Sequence, residues 1–349
     1  MEHATPEEAE AARRASQAAA GDRQEPKAAP GADGAAASEA ARQAAADAPQ
    51  GSPLDGSAPA WQGAQLTEAD LILEGGAMRG QFTAGVLDVL MDRRLFCRRV
   101  IGVSAGALCG YNYVAGAVGR SCFLNVKYCD DWRYLSLKSF ARTGNAYGRE
   151  FAFDRIPNEL EPFDAAAFDR SPLKLVAVSS NLETGEADYH ELSSTREGMP
   201  YVIASSSMPL VSQIMEIDGK KLLDGGTCDS VPCLFSLLTA PATRKRIVVL
   251  TQDATYRKGP NKLMPLLHQR YADFPYYLER LQSRHFLYNR TYRALARAHK
   301  RGAAFVIRPQ RPVEVSSMER DPAKLMDLYE QGCREAVRQW DALQCYLEA

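Results

Sequence analysis

Two stretches decide the fold: Leu71-Ile72-Leu73-Glu74-Gly75-Gly76-Ala77-Met78-Arg79-Gly80, and, on the next apolar run, Val100-Ile101-Gly102-Val103-Ser104-Ala105-Gly106. Each begins with a short apolar run that fits a buried strand and passes through small residues into a helical pattern. The pattern predicts strands at 71–73 and 99–103, with helices at 81–93 and 104–118. Gly102-Val103-Ser104-Ala105-Gly106 is G-x-S-x-G at a strand-to-helix junction. A serine on so sharp a turn needs small neighbours two residues to either side, here Gly102 and Gly106. The helix behind it directs unpaired N–H groups and a positive dipole end at the site, which suits a developing oxyanion. Alone, the pentapeptide fits a serine that caps its helix equally well.

The glycine-rich loop before it has three candidate uses. A phosphate-binding P-loop shares the spacing of Gly75 and Gly80 but needs Lys and then Ser or Thr, where Gln81 and Phe82 stand. A dinucleotide loop needs a third glycine where Ala77 stands, and an acidic residue about twenty positions on, where Phe96-Cys97-Arg98-Arg99-Val100 has none. An oxyanion hole asks only for convergent N–H groups near a nucleophile, and Ser104 arrives on the very next strand.

Outward from these stretches the alternation continues. Strands are expected at 173–179, 246–251 and 304–307, a helix at 201–207 before Pro209, and a hairpin around Asp218-Gly219 joining 213–217 to 221–223. The segments 274–301 and 322–347 have helical spacing. Alternating strands and helices with apolar strands predict a three-layer α/β/α fold around a mainly parallel sheet. One domain over 67–349, with a C-terminal helical extension from about 310, is the economical division. Residues 1–66 differ: they are Ala-rich, lack an apolar stripe and contain Trp61 as their one aromatic residue. Such a segment buries too little apolar surface to offset its ordering entropy, so disorder is expected.

The 349 residues are 46% hydrophobic and 24% charged with net charge -1. That balance gives no reason to expect nucleic acid as a partner. None of the eight cysteines forms a C-x-x-C pair, and the start of the chain lacks a secretory pattern; a soluble, cytoplasmic protein with reduced thiols and neither metal nor cofactor is the expectation.

A serine nucleophile needs a base. Asp224-Gly225-Gly226 follows the apolar strand at 221–223, expected to point the same way as the two motif strands, and its glycines let the carboxylate sit at an exposed strand end. Asp-Gly is also a common turn dipeptide. The order Ser104, Asp224, then His268, His285 or His299 would fit an α/β-hydrolase triad. Against it, one strand precedes the elbow strand where that fold has several, and each later histidine sits in a helical, basic, aromatic stretch. His3 lies in the tail, and His190 in the strand expected after Asp188-Tyr189.

Taken together these residues resemble the patatin-like phospholipase family, in its bacterial branch, over about residues 70–310. The Gly75–Gly80 loop, the Ser104 elbow and Asp224-Gly225-Gly226 occur in the family's order. Leu73-Glu74-Gly75-Gly76, Ala204-Ser205-Ser206-Ser207-Met208-Pro209 and Asp229-Ser230-Val231-Pro232 add to the likeness. The resemblance implies a Ser104–Asp224 dyad that hydrolyses phospholipids or other acyl lipids through an acyl-enzyme. The amides of Gly75, Gly76, Ala77, Met78, Arg79 and Gly80 would hold the oxyanion. Hydrolysis of small esters or thioesters, or a silent lipid-binding role, are the alternatives. Ala77 departs from the family's glycine, and its methyl group is expected to bar positive φ there. Arg79 is expected to orient the loop, meet a lipid phosphate or pair with a carboxylate. Arg280, Arg284, Arg290, Arg293, Arg297, Lys300 and Arg301, set among Tyr276, Tyr277, Phe286, Tyr288 and Tyr292, suit transient peripheral membrane contact, or a packed helix whose Arg stems cover apolar surface.

Overall fold

The computed structural model describes residues 58–349. One sheet contains β1 Leu66–Leu73, β2 Phe96–Val103, β3 Lys174–Asn181, β4 Ala187–Glu191, β5 Met215–Ile217, β6 Lys220–Asp224, β7 Lys245–Val249 and β8 Phe305–Ile307. The expected strands at 71–73 and 99–103 are the later parts of longer strands: β1 begins with partly exposed residues, and in β2 Arg98 and Arg99 interrupt the apolar run after the buried Phe96 and Cys97. The helices are α1 Gly80–Asp92, α2 Ala105–Ala115, α3 Arg120–Tyr128, α4 Leu137–Thr143, α5 Ala165–Asp169 and α6 Thr195–Ser205, then α7 Cys233–Thr239, α8 Met264–Arg270, α9 Pro275–Lys300, α10 Pro322–Arg338 and α11 Trp340–Glu348, with a π-helical stretch over Phe151–Leu160.

Strands β1, β2, β3, β7 and β8 run parallel, so the sheet is mainly parallel as expected. Alternate side chains separate its faces. Leu71, Leu73, Val100, Ala177, Ile247 and Val249 join one core with residues of α1, α2 and α10. Ile72, Ile101, Val103, Val178 and Val248 join a second with Tyr288, Tyr292 and Leu295 of α9. Helices on both faces make the α/β/α layering. Along α9, Tyr277, Leu278, Leu281, Tyr288, Tyr292 and Leu295 are buried, which is the packed-helix reading; Tyr276 and Phe286 stay exposed.

The C-terminal helices share the core of the first face. On α1, a Cβ added to Gly85 would stand 2.1 Å from the Tyr329 carbonyl oxygen; on α10, one added to Gly332 would stand 2.1 Å from that of Phe82. Backbone contact of this kind is open to glycine alone. Tyr329 also donates to Asp88 (3.0 Å), tying the same two helices.

At the other end, residues 58–65 were expected within the disordered tail and instead form a turn on the first core. Trp61 and Ala64 pack there, Ala60 N donates to Gly116 O, and Arg94 donates to Gln62 O (2.7 Å). The indole supplies the apolar surface that the rest of the segment lacks. The expectation of disorder for residues 1–57 lies outside the described residues. All eight cysteines are free thiols. Among the described residues, no helix is long and apolar enough to cross a membrane.

Strand β3 arranges the site. Antiparallel β4 covers Val176–Ser180 on one edge of β3. On the opposite edge β2 pairs as far as Val178, and from Ser179 antiparallel β6 continues that edge, with Asp224 opposite Ser179. Thus Asp224 meets the chain where β2 ends, next to Ser104. The expectation that the Asp224 strand points the same way as the motif strands is corrected: β6 runs against β3. The reason is the hairpin between β5 and β6, whose turn residues Asp218 (φ 49°) and Gly219 (φ 75°) send the chain back toward the elbow.

Candidate active site

Ser104 has φ 54° and ψ -121°, a backbone conformation that costs a non-glycine residue about 1–3 kcal/mol and holds only where its surroundings fix it. Here they do. Ser104 N donates to Ser205 Oγ (2.9 Å), and Ser205 Oγ donates to Val178 O (2.6 Å), so α6 braces the elbow from the neighbouring strand. Gly102 and Gly106 take the places that the elbow demands. A Cβ on Gly102 would lie 2.6 Å from Ala107 Cα, and one on Gly106 2.4 Å from Leu73 O.

The loop after β1 lies against this turn: a Cβ on Gly75 would be 3.1 Å from Ser104 Cβ. Within it Ala77–Arg79 form a 3-10 turn, in which Arg79 N donates to Gly76 O and the Gly80 amide to the carbonyls of Ala77 and Met78. Those two amides are spent inside the turn, which narrows the oxyanion donors expected from this loop to Gly75, Gly76, Ala77 and Met78. The expectation about Ala77 is corrected as well. Its φ is +49°, so the methyl group does not bar the left-handed conformation but is carried at a cost. That cost is about 1–2 kcal/mol, and Ala77→Gly relieves it while adding about 0.4–1 kcal/mol of unfolded-chain freedom. The variant is expected to be as stable as the wild type or up to about 1 kcal/mol more stable. Urea unfolding measures this, and a clear loss of stability would argue against strain at Ala77.

Asp224 is buried, and its amide donates to Ser207 O (2.8 Å). Its carboxylate accepts from Gly226 N (2.7 Å) and interacts with the Ser104 hydroxyl. Burial pushes its pKa above the ordinary carboxylate value, and the Ser104 hydroxyl, the Gly226 amide and the charge on Arg284 pull in the other direction. A Cβ on Gly225 would stand 2.1 Å from Val178 O, so the Asp224–Gly225 chain lies directly on the end of β3.

Ser104, Ala77, Met78 and Gly80 open onto an apolar cavity of about 1080 Å³, mouth included. Leu108, Leu124, Leu135, Phe153, Ile156 and Phe163 line it, and no histidine does. His268 and His299 lie exposed on α8 and α9, and His190 stacks on Tyr201. The His285 ring lies tilted against its neighbour Phe286. Arg79 donates to Ser317 (3.1 Å) and forms no carboxylate pair among the described residues.

Several residues of the site were not anticipated. Glu74 is buried at the root of the loop and accepts from Thr251 N (2.7 Å), Tyr288 OH and Tyr292 OH (2.6 Å each). Thr251 also donates to Gly75 O (3.2 Å). An acidic residue at the end of an otherwise apolar strand was the available signal for Glu74. Ser205 lies in the Ala204–Pro209 stretch that carried part of the family likeness, and Tyr288 and Tyr292 among the aromatic residues of the basic helix, but no local signal gave any of them, or Thr251, this role.

Fold and site together define a three-layer α/β/α protein with a strained serine elbow set against a glycine-rich loop. Residues 71–237 match the model of the Patatin-like phospholipase family. Residues 274–348 match DUF6363, a domain of unknown function. The chain is 26% identical over 167 residues to the uncharacterized protein YjjU of Escherichia coli (strain K12). That alignment takes in 46% of each chain, so it spans about half the length of that relative. Among solved structures, VipD from Legionella pneumophila matches with a TM-score of 0.40 and 12% identity, over 78% of this chain and 67% of that one.

Proposed function

We propose that the protein is a serine acyl hydrolase that cleaves the ester bonds of phospholipids or other acyl lipids through Ser104 and Asp224. The observation that carries this reading is the interaction of the buried Asp224 carboxylate with the hydroxyl of Ser104, which itself lines the apolar cavity. Asp224 takes the hydroxyl proton as Ser104 Oγ attacks the ester carbonyl. The tetrahedral oxyanion is stabilised by amides among Gly75, Gly76, Ala77 and Met78. Collapse expels the alcohol, which receives the proton from Asp224 and leaves the acyl group on Ser104. Water, deprotonated by Asp224, then attacks the acyl-enzyme, and collapse releases the fatty acid as Asp224 returns the proton to Ser104 Oγ. The cavity suits the acyl chain, since its lining offers apolar surface and few charges. Access to a lipid substrate asks for transient peripheral contact with a membrane and nothing that spans it.

The test is a fluorophosphonate probe followed by peptide mapping, with fatty-acid release from phospholipid vesicles measured alongside. Label on the peptide carrying Ser104, together with fatty-acid release, supports the reading. An unlabelled protein sinks it.

A further inference from the structure

The DUF6363 stretch, residues 274–348, lies wholly outside the stretch that matches the hydrolase family, yet its helix α9 reaches the candidate site. Arg284, Tyr288 and Tyr292 stand four residues apart, so they form one stripe along the helix. Arg284 Nη2 lies 3.1 Å from the point where a Cβ on Gly226 would stand, and Asp224 Oδ1 lies 2.9 Å from the same point. Guanidinium and carboxylate therefore flank Gly226 together. Arg284 Nε is buried and without a hydrogen-bond acceptor, which leaves the charge of the group directed at its surroundings rather than neutralised locally. One and two turns further on, Tyr288 and Tyr292 donate to Glu74 beneath the glycine-rich loop. Burial raises the pKa of both phenols, so both remain donors.

We propose that α9 is a working part of the hydrolase site: Arg284 is a positioning residue whose positive charge faces the Asp224 carboxylate, and Tyr288 and Tyr292 fix the oxyanion loop through Glu74. The proposal rests on the Ser104–Asp224 reading above. Asp224 acts as a base only when ionised, and its burial opposes that state. The groups around it are the Ser104 hydroxyl, the Gly226 amide, the Tyr277 phenol and the Arg284 guanidinium, with Cys228 and Asp229 beyond Gly226. Lys258 feels the charges of both Arg284 and Arg79; burial and these two arginines push the lysine down to about 7, against the pull of Glu74. Arg284 is thus the cation nearest the base. Losing it raises the Asp224 pKa further, so the acid limb of activity moves to higher pH.

The experiment compares the pH dependence of kcat/KM for the full chain, Arg284→Gln and Arg284→Lys. Arg284→Gln is expected to move the acid limb up by about one pH unit or more while activity recovers at high pH, and Arg284→Lys to restore most of the wild-type profile. A folded Arg284→Gln protein with an unmoved acid limb overturns the proposal. Should that variant fail to fold, the double variant Tyr288→Phe/Tyr292→Phe decides. A fall in kcat of about tenfold or more, with KM and acid limb unchanged, is expected there; an unchanged kcat overturns the proposal. Fluorophosphonate labelling of the wild type separates the two readings. A labelled Ser104 with an unmoved profile removes only the role of α9, whereas an unlabelled wild type removes the dyad itself.

Discussion

Ser104→Ala is expected to lower kcat for ester hydrolysis by at least about 10⁴-fold, and Asp224→Asn by about 10³-fold or more. The double variant should be no slower than the worse of the two. In the proposed mechanism nucleophile and base act on one proton, so removing either would disable the step that both perform. The geometry makes the pair interdependent: Asp224 enters on β6 at the point where β2 gives way to the elbow, and the Ser104 hydroxyl is a partner of its carboxylate. Initial rates of fatty-acid release from vesicles, measured for both singles and the double, check this. A double variant slower by the product of the two factors would show independent contributions. An Asp224→Asn protein with near-normal kcat would place the base elsewhere, and a histidine would again be the candidate.

The second large effect is on stability. Gly225→Ala is expected to cost more than about 4 kcal/mol, a large share of the roughly 5–15 kcal/mol that holds a domain folded. The added methyl would lie 2.1 Å from Val178 O and 2.6 Å from its carbonyl carbon. Neither atom can retreat, because Val178 is held by β2 on one side and β4 on the other. Gly219→Ala is the control. Gly219 has φ 75° but nothing within 4 Å of its would-be Cβ, so only the backbone conformation is penalised, at about 1 kcal/mol. Denaturant midpoints of the two variants separate a steric clash from a conformational preference. A Gly225→Ala protein with a wild-type midpoint would show that β6 is not seated on the end of β3 in this way.

Much of this was legible in the sequence because the relevant signals are local. A strand-to-helix turn around serine writes itself into Gly102-Val103-Ser104-Ala105-Gly106, and alternating apolar strands write the layering. The parts that escaped depend on chain segments far apart in sequence. The direction of β6 follows from a hairpin that docks on an edge already partly used by β2, which no residue near Asp224 records. Glu74 finds its tyrosines more than two hundred residues downstream. Ala77 is instructive in another way: propensity argued against a left-handed backbone there, and the packing of the loop against Ser104 imposed it regardless. On α9 the fourfold spacing of Arg284, Tyr288 and Tyr292 was visible as helical pattern, but a pattern cannot say what a stripe faces.

The stretch that matches the hydrolase family ends at residue 237, before β7, which pairs with β1 along its whole buried half. A fragment cut there would turn the sheet's centre into its border. Leu71, Ile72 and Leu73 would present an open ladder of backbone donors and acceptors, flanked by apolar side chains, for another molecule to join. The similarity boundary is therefore a poor guide for making a shortened protein: such a piece should aggregate on expression, and adding residues through β8 should be the least that keeps it in solution.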